Sequence, residues 1–451
     1  LGGGLFAENT TDLYLDNLVI TNNSAIGTST VGSTDTVVGG AAVGGGIALK
    51  SVSHLIMTNI TSSYNKTIGG TGAQRSGYSH GAGMFTYDTT GVITNMVLQN
   101  NQATTLSCAC DGKEIATGER ADAQGGGVAF KEGSVITATR LVVTGNQAIG
   151  GDARLYPGAG FGGGVYLENQ GTTASTSVTL YDITVSNNSA TGGNGHDGWI
   201  GEGGGIFAWD SSLVVDRGRL TGNSAIGGNG AVNSGPAGGG GAAIVRVGSL
   251  NLTHRLTNIL IADNTVRIGT GFTQGGGGGG LWLQGINITV THATLVRNQL
   301  VTSNTGATGT IGQAILAMNY GVAHATNAIF KYSIIADHIC CTDAALNVQT
   351  GNTVSLDYTL WAGNTNQMAG YGTLIDNNAL NVTGTNSAGF VSPGFPGFDY
   401  HIVQSSPARS QAAGSTTVVD ADNLPRIGIP DIGAYQYHHF AYSTYVPGVT
   451  R

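Results

Sequence analysis

The sequence predicts an all-β protein, a right-handed single-stranded parallel β-helix of about 10–11 coils, and three observations carry that expectation. Glycine-opened units recur along the whole chain, an asparagine closes each unit, and the apolar residues between them follow a two-residue period. A unit that repeats in this way cannot bury its apolar face alone, so it stacks on copies of itself.

The openings come first. Gly-Gly-Gly followed by an aliphatic residue begins at 2, 44, 125, 162, 203 and 278, with variants at 81, 240 and 312, at spacings of 34 to 44 residues. Glycine there implies a strand entry where backbones approach too closely for a Cβ. The strands follow. Leu13, Leu15, Leu18 and Ile20 in the first unit match Val178, Leu180, Ile183 and Val185 in the fifth. Runs this short, rich in Val, Ile, Leu and Thr and broken by Gly or Asn, read as strands, and no window reads as helix.

The closing turn aligns best. Asn23, Asn65, Asn101, Asn146, Asn188, Asn223, Asn264, Asn298 and Asn364 share one place in it, and His338 stands there in the remaining unit. Asparagine accepts left-handed backbone, and its amide both donates and accepts. Stacked about 4.8 Å apart, such amides form an internal ladder. Variable loops follow the turn at 28–43, 69–80, 104–124, 150–161, 192–202, 228–239, 270–277 and 304–311. They should crowd one face of the rod, where binding would be sought.

Composition removes several function classes. Glycine accounts for 76 of 451 residues, charged residues for 10% and the net charge is −8. No Lys/Arg cluster provides a nucleic-acid footprint, and no apolar stretch reaches the ~18 residues of a membrane span. No cofactor motif and no histidine or acidic spacing for a metal is present. A charge-poor, glycine-rich β chain reads as secreted, extracellular or at a cell surface. Residue 1 falls inside a repeat, so an N-terminal part is expected before it.

Parallel β-helices also house polysaccharide lyases and glycoside hydrolases, whose chemistry requires paired carboxylates or a calcium-binding acidic cluster. The best constellation lies in two consecutive loops, with Asp152, Asp197 and Glu202 as candidate catalytic acids and Arg154, Tyr156, His196 and Trp199 as candidate sugar contacts. Packing and solvation of the loops is the plainer reading of the same residues. Cys108 and Cys110 lie about six coils from Cys340 and Cys341, roughly 30 Å at 4.8 Å per coil, and a disulfide requires Cα atoms within about 7 Å. Any bridge is therefore local, Cys108–Cys110 or the vicinal Cys340–Cys341, with free thiols as the alternative. Asn-x-Ser/Thr triplets begin at Asn9, Asn22, Asn59, Asn65, Asn187, Asn251, Asn287 and Asn381, candidate glycosylation sites in a host with the machinery.

The pattern changes towards the C-terminus. Asp399-Tyr400-His401-Ile402, Ser406-Pro407-Ala408 and Pro430-Asp431-Ile432-Gly433-Ala434-Tyr435 resemble the closing segment of choice-of-anchor Q bacterial surface proteins, and the repeats are similar to polymorphic outer-membrane-type β-helix repeats. The chain departs from that pattern at Arg409-Ser410-Gln411 and at Gln436. The resemblance implies an exported bacterial surface protein and no defined catalytic activity. The expected organisation is a β-helix over 1–392, a terminal coil or cap over 393–437 and an aromatic tail over 438–451. With few lysines to block strand edges, head-to-tail association through the coil ends and the tail is the expected partnership, giving a structural or adhesive filament; surface glycans are the other expected partner.

Overall fold

A strand whose neighbours are copies of itself must find its hydrogen-bond partners one coil up and one coil down. The computed structural model describes residues 2–29, 38–72, 76–107, 121–170, 175–272, 275–301, 312–320, 324–339 and 344–438, and this pairing runs through its length. The first leg of the coil stacks in parallel register through Leu5, Ile47, Met84, Val128, Val165, Ile206, Ala242, Leu281, Ile315, Leu346 and Met368. These are eleven coils of a right-handed parallel β-helix, with second and third legs stacked alongside. No helix among the described residues is long and apolar enough to cross a membrane.

The two-residue period sends alternate side chains inward. Met57, Ile93, Ala138, Leu180, Val215, Leu256, Val290, Phe330 and Leu356 form one continuous internal column of the core. Each large aliphatic residue so buried contributes about 1.5–3 kcal/mol. In the first coil Leu5, Leu13, Leu15, Leu18 and Ile20 are only partly buried against the same core.

The asparagine ladder is complete from Asn23 to Asn298. Asn188 is representative: its backbone N–H and its Nδ2 both donate to Asn223 Oδ1 at 3.0 Å, and Nδ2 also donates to Val143 O at 2.9 Å. Its own Oδ1 accepts from Asn146 N and Nδ2 at 2.9 and 3.0 Å. His338 carries the ladder across its one irregular rung. Its Nδ1 donates to Asn364 Oδ1 at 2.9 Å, while Nε2 faces Asn298 Nδ2 at 3.4 Å. That arrangement requires the neutral imidazole, and burial depresses its pKa to about 4 against its hydrogen bond to Asn364, which opposes the shift.

The left-handed residue of this turn is not the ladder asparagine, as the sequence suggests, but the residue before it. Asn22, Tyr64, Asn100, Gly145, Asn187, Gly222, Asp263, Arg297, Asp337 and Gly363 all have φ between 53° and 67°. The ladder asparagine must point its amide along the axis, so its predecessor makes the bend. A second left-handed column, running from Asn17 through Arg140 and His292 to Asn378, turns the second leg into the third; its residue types vary too much to stand out in the sequence.

The opening glycines pack on the ladder. A Cβ on Gly204 would lie 2.4 Å from the Ser224 backbone, and one on Gly205 would lie 3.0 Å from Asn223 Nδ2. The loops leave one short strand past the asparagine turn, as with Ser189–Thr191, and their returning ends are ordered. Two-residue strands at Ala42–Val43, Ser79–His80, Ala123–Gln124, Gly160–Phe161, Gly201–Glu202 and Ala237–Gly238 stack as a separate parallel sheet.

The C-terminal residues do not add a twelfth coil. From about 386 onward the chain turns back and lies along the outer face of the third leg, so the expected terminal cap is a lateral cover. Arg219 reaches Asp422 and Tyr435, the Tyr400 hydroxyl donates to Asp263, Ala434 N donates to Thr294 Oγ1 at 2.9 Å, and Gly433 N donates to Tyr332 O at 2.8 Å. His401 lies between Asp399 and Asp422, 2.6 Å from each; burial alone would lower its pKa, but the two carboxylates raise it to about 9. Beneath the cover the outward column holds Leu260, Ile334 and Leu360 with Thr294 between the first two as the acceptor for Ala434 N, whereas the uncovered coils hold Thr61, Val97, Val142 and Thr184 in that column.

The remaining sequence expectations fall into two groups. Cys108, Cys110, Cys340, Cys341 and the tail beyond residue 438 lie outside the described residues. Of the glycosylation triplets, Asn9, Asn22, Asn59, Asn187, Asn251, Asn287 and Asn381 are exposed. Asn65 is fully buried with its amide committed to the ladder, so the folded chain cannot present it to a glycosyltransferase.

Two outcomes follow from the ladder. Asn188→Ala leaves buried donors of Asn146 without an acceptor and should cost about 3–5 kcal/mol, whereas Asn187→Ala at the exposed bend should cost about 1–2 kcal/mol; denaturant midpoints compare the two. The folded pKa of His338 lies below its unfolded value of 6.5. Between pH 6.5 and 4 the unfolded chain therefore binds a proton that the folded chain refuses, and stability falls as pH falls. His338→Asn should remove up to about 3 kcal/mol of this acid loss; equal acid sensitivity in both proteins would refute the assignment.

Candidate functional site

The candidate acids sit in loops whose bases are built from glycine. Successive necks interlock in one hydrogen-bonded series: Gly158 N to Gly151 O, Gly193 N to Gly158 O, Trp199 N to Gly193 O, Gly228 N to Trp199 O and Gly235 N to Gly228 O, all between 2.7 and 3.0 Å. A Cβ on Gly228 would lie 1.9 Å from Gly193 O, so this spacing excludes a side chain. The loops at 151–158, 193–199 and 228–235 are thus stacked like the coils beneath them.

That stack joins some of the expected residues and separates others. His196 N donates to Arg154 O at 2.7 Å, which brings the Arg154–Tyr156 loop beside His196, whereas Trp199 packs against the cluster of Phe161, Tyr166 and Phe207 on the first leg. Tyr156 is 41% exposed, and Phe272, further along the same stack, is 76% exposed. Asp152 Oδ1 accepts from Asn194 N at 2.7 Å and Nδ2 at 3.0 Å. Asn194 Oδ1 accepts from Asn229 N, and Asn229 Oδ1 from Thr270 N. Asp152 therefore ends an outer ladder that repeats the geometry of the inner one at the surface. Asp197 ends a shorter one, accepting from Asn233 Nδ2 at 2.8 Å, and hydrogen bonding from Asn233 lowers its pKa.

Glu202 is elsewhere. It lies in the returning strand Gly201–Glu202, in register with Phe161 and Gly238, and is 7% exposed. It does not join Asp152 and Asp197 on the loop surface, because the strand that carries it packs on the outer face of the first leg. The wall there is aromatic: Phe161, Tyr166 and Phe207 cluster, with Tyr166 stacked on Phe207 at 5.7 Å and Trp209 edge-on to Phe161 at 6.4 Å. Burial among these groups raises the Glu202 pKa to about 7.

The same layer holds a polar network that the sequence reading does not identify. Lys131 pairs with Glu168, which is 1% exposed, and donates to Gln124 Oε1 at 3.0 Å; Gln170 donates to Glu168 from the other side. His80, in line with Gln124 in the returning sheet, is kept neutral mainly by burial, with the charge of Lys131 acting in the same direction. Gln124 and Lys131, which face each other, are seven residues apart, as are Phe161 and Glu168, and Glu202 and Trp209. That offset is the signal in the sequence, and it becomes readable once the glycine triplet is known to lie between two facing strands. Two buried carboxyl groups in one layer are the kind of arrangement that acid chemistry uses. Here, however, Glu168 is enclosed by its partners and Glu202 by rings. No group of three or more potential metal ligands occurs among the described residues.

No protein-family model matches the chain, and no curated protein matches it. Among solved structures, the crystal structure of the Dettilon tailspike protein aligns with 15% identity over 73% of this chain and 62% of that chain, at a TM-score of 0.23. At that value the two chains do not superpose as a whole, and the fold assignment rests on the strand register described above.

Glu202 gives a pH-dependent expectation. Its folded pKa is raised, so stability is lost as pH rises from about 4.5 through 7. Glu202→Gln should be more stable than the parent at pH 8 by up to about 3 kcal/mol, with the gap closing below pH 5; a gap independent of pH would show that Glu202 does not titrate as a buried acid.

Proposed function

We propose that this chain is the rod of an exported structural or adhesive surface protein rather than a glycan-degrading enzyme. One observation carries the reading: the acids best placed for catalysis are already engaged in holding the stack together. Asp152 and Asp197 accept the amides of neighbouring loops, and Glu202 is walled in on a different surface. The C-terminal motifs support the resemblance to choice-of-anchor Q surface proteins in the same structural sense, since Tyr400 and Tyr435 tie the lateral cover to the rod and His401 and Asp431 brace it internally. Export, on this reading, suits a chain whose stability comes from a repeated, charge-poor interior.

A second reading, non-catalytic glycan contact on the loop surface, is favoured by the placement of Arg154, Tyr156 and His196 side by side and exposed. Head-to-tail association belongs to the same proposal: end-on stacking would cover the partly buried first-coil residues Leu5, Leu13, Leu15, Leu18 and Ile20. A chain segment preceding residue 1 is the competing occupant of that face.

Incubation with a panel of bacterial and plant polysaccharides should release neither reducing ends nor unsaturated products. Release that is abolished by Glu202→Gln or Asp197→Asn would overturn the rod reading in favour of an enzyme. Negative-stain microscopy at high protein concentration should give fibres, and isolated rods of unit length would remove head-to-tail association from the proposal.

A further inference from the structure

The internal ladder is a row of identical two-pronged donors, and its last member has nothing to hold. At every regular rung the backbone N–H and Nδ2 of one asparagine converge on a single carboxamide oxygen in the next coil, as Asn223 does on Asn264 Oδ1 at 2.9 and 3.0 Å. Asn364 keeps the other half of the pattern. Its Oδ1 accepts from His338 and its Nδ2 donates to Ile335 O at 2.8 Å. Among the described residues nothing accepts from its backbone N–H or takes the second Nδ2 hydrogen.

The reason lies in the next coil. Ala362 pairs with Val382, so two residues further on, where the next asparagine would stand, the chain has Gly384. A Cβ added there would meet nothing within 4 Å. The missing side chain leaves an open cavity of about 220 Å³ lined by Trp361, Asn364, Val382, Thr383, Gly384 and Thr385 among others. Unlike the ladder asparagines from Asn65 to Asn298, Asn364 is only half-buried, and Thr383 and Thr385 are exposed at the rim.

We propose that this cavity binds the acetamido group of an N-acetylated saccharide. The two free donors of Asn364 are set for one planar carbonyl oxygen, the acceptor that each regular rung from Asn23 to Asn264 finds within the chain. The cavity lining contains no charged side chain, so a carboxylate would lose its hydration without a counter-charge, whereas a neutral amide carbonyl would not. Trp361, 3% exposed, and Val382 offer apolar surface for the acetyl methyl, and the threonine hydroxyls at the rim can meet ring hydroxyls. The volume is below the roughly 300 Å³ at which pockets for drug-sized ligands begin, which suits one substituted sugar ring rather than a long chain enclosed on all sides. The site lies at the foot of the ladder, away from the Arg154–Tyr156 loops, so its failure would leave the rod reading and its two tests untouched.

The test uses the full chain, labelled with ¹⁵N at asparagine, in a titration followed by the Asn364 backbone and side-chain amide signals. Asn364→Asp, which lacks those signals, assigns them. N-acetylglucosamine should shift them saturably, and glucose should bind about tenfold or more weakly, the loss expected for one missing acceptor at a two-donor site. Thr385→Trp, a change at an exposed position, should abolish the shifts while the other ladder asparagines keep their positions, separating a blocked cavity from an unfolded protein. Equal binding of glucose, equal binding of acetamide alone, or shifts confined to other asparagines would each overturn the proposal.

Discussion

The structure depends on one repeated contact, the asparagine amide against the third glycine of the same coil. In a parallel stack every side chain lies above a copy of its own position, so a polar residue can enter the interior only if it can bond to its copies. The carboxamide does so with complementary groups on one rigid plane, which no carboxylate or ammonium group can. Gly205 against Asn223, and its counterparts in other coils, keep the backbone close enough for that bond to form. Where Ala314 replaces the third glycine, the ladder residue of the same coil is His338 rather than asparagine, and the row continues through a neutral imidazole.

The same translational rule shapes the surface. Asp152, Asn194, Asn229 and Thr270 reproduce the inner ladder in the loops, because stacked loop necks bring equivalent positions together as stacked strands do. An acid in such a row is an acceptor at the end of a chain of amides. Carboxylates that look like a constellation in one dimension are thus, in three, the ends of separate amide rows.

The lateral cover adds a second constraint. By folding back over the third leg it encloses a face that would otherwise be a flat exposed sheet, and Leu260, Ala262, Val296, Ile334, Ala336 and Leu360 are buried beneath it. It is held by apolar packing and scattered polar contacts rather than by strand pairing: Arg219 reaches Asp422 from the sixth coil, Ala434 N donates to Thr294, and His401 between Asp399 and Asp422 braces the cover internally.

The sequence by itself determined the coil: the number of repeats, the glycine entries, the asparagine row with His338 in it, and the corner from which loops emerge. These are legible because each is a local pattern that recurs, and stacking makes recurrence equivalent to contact. The tertiary structure alone decided what recurrence does not encode. Left-handed bends are filled by residues as different as Asn17, Arg140 and His292, since only the backbone is constrained there: Asn17 and Arg140 face solvent, whereas His292 is buried beneath the cover against Ser415. Glu202 belongs to a returning strand on the first leg rather than to the loop surface, and Lys131 meets Glu168 across two coils. The segment after 386 lies beside the rod rather than beneath it, because its partners, from Arg219 to Tyr332, are separated from it by as many as 216 residues of chain and share no repeat with it.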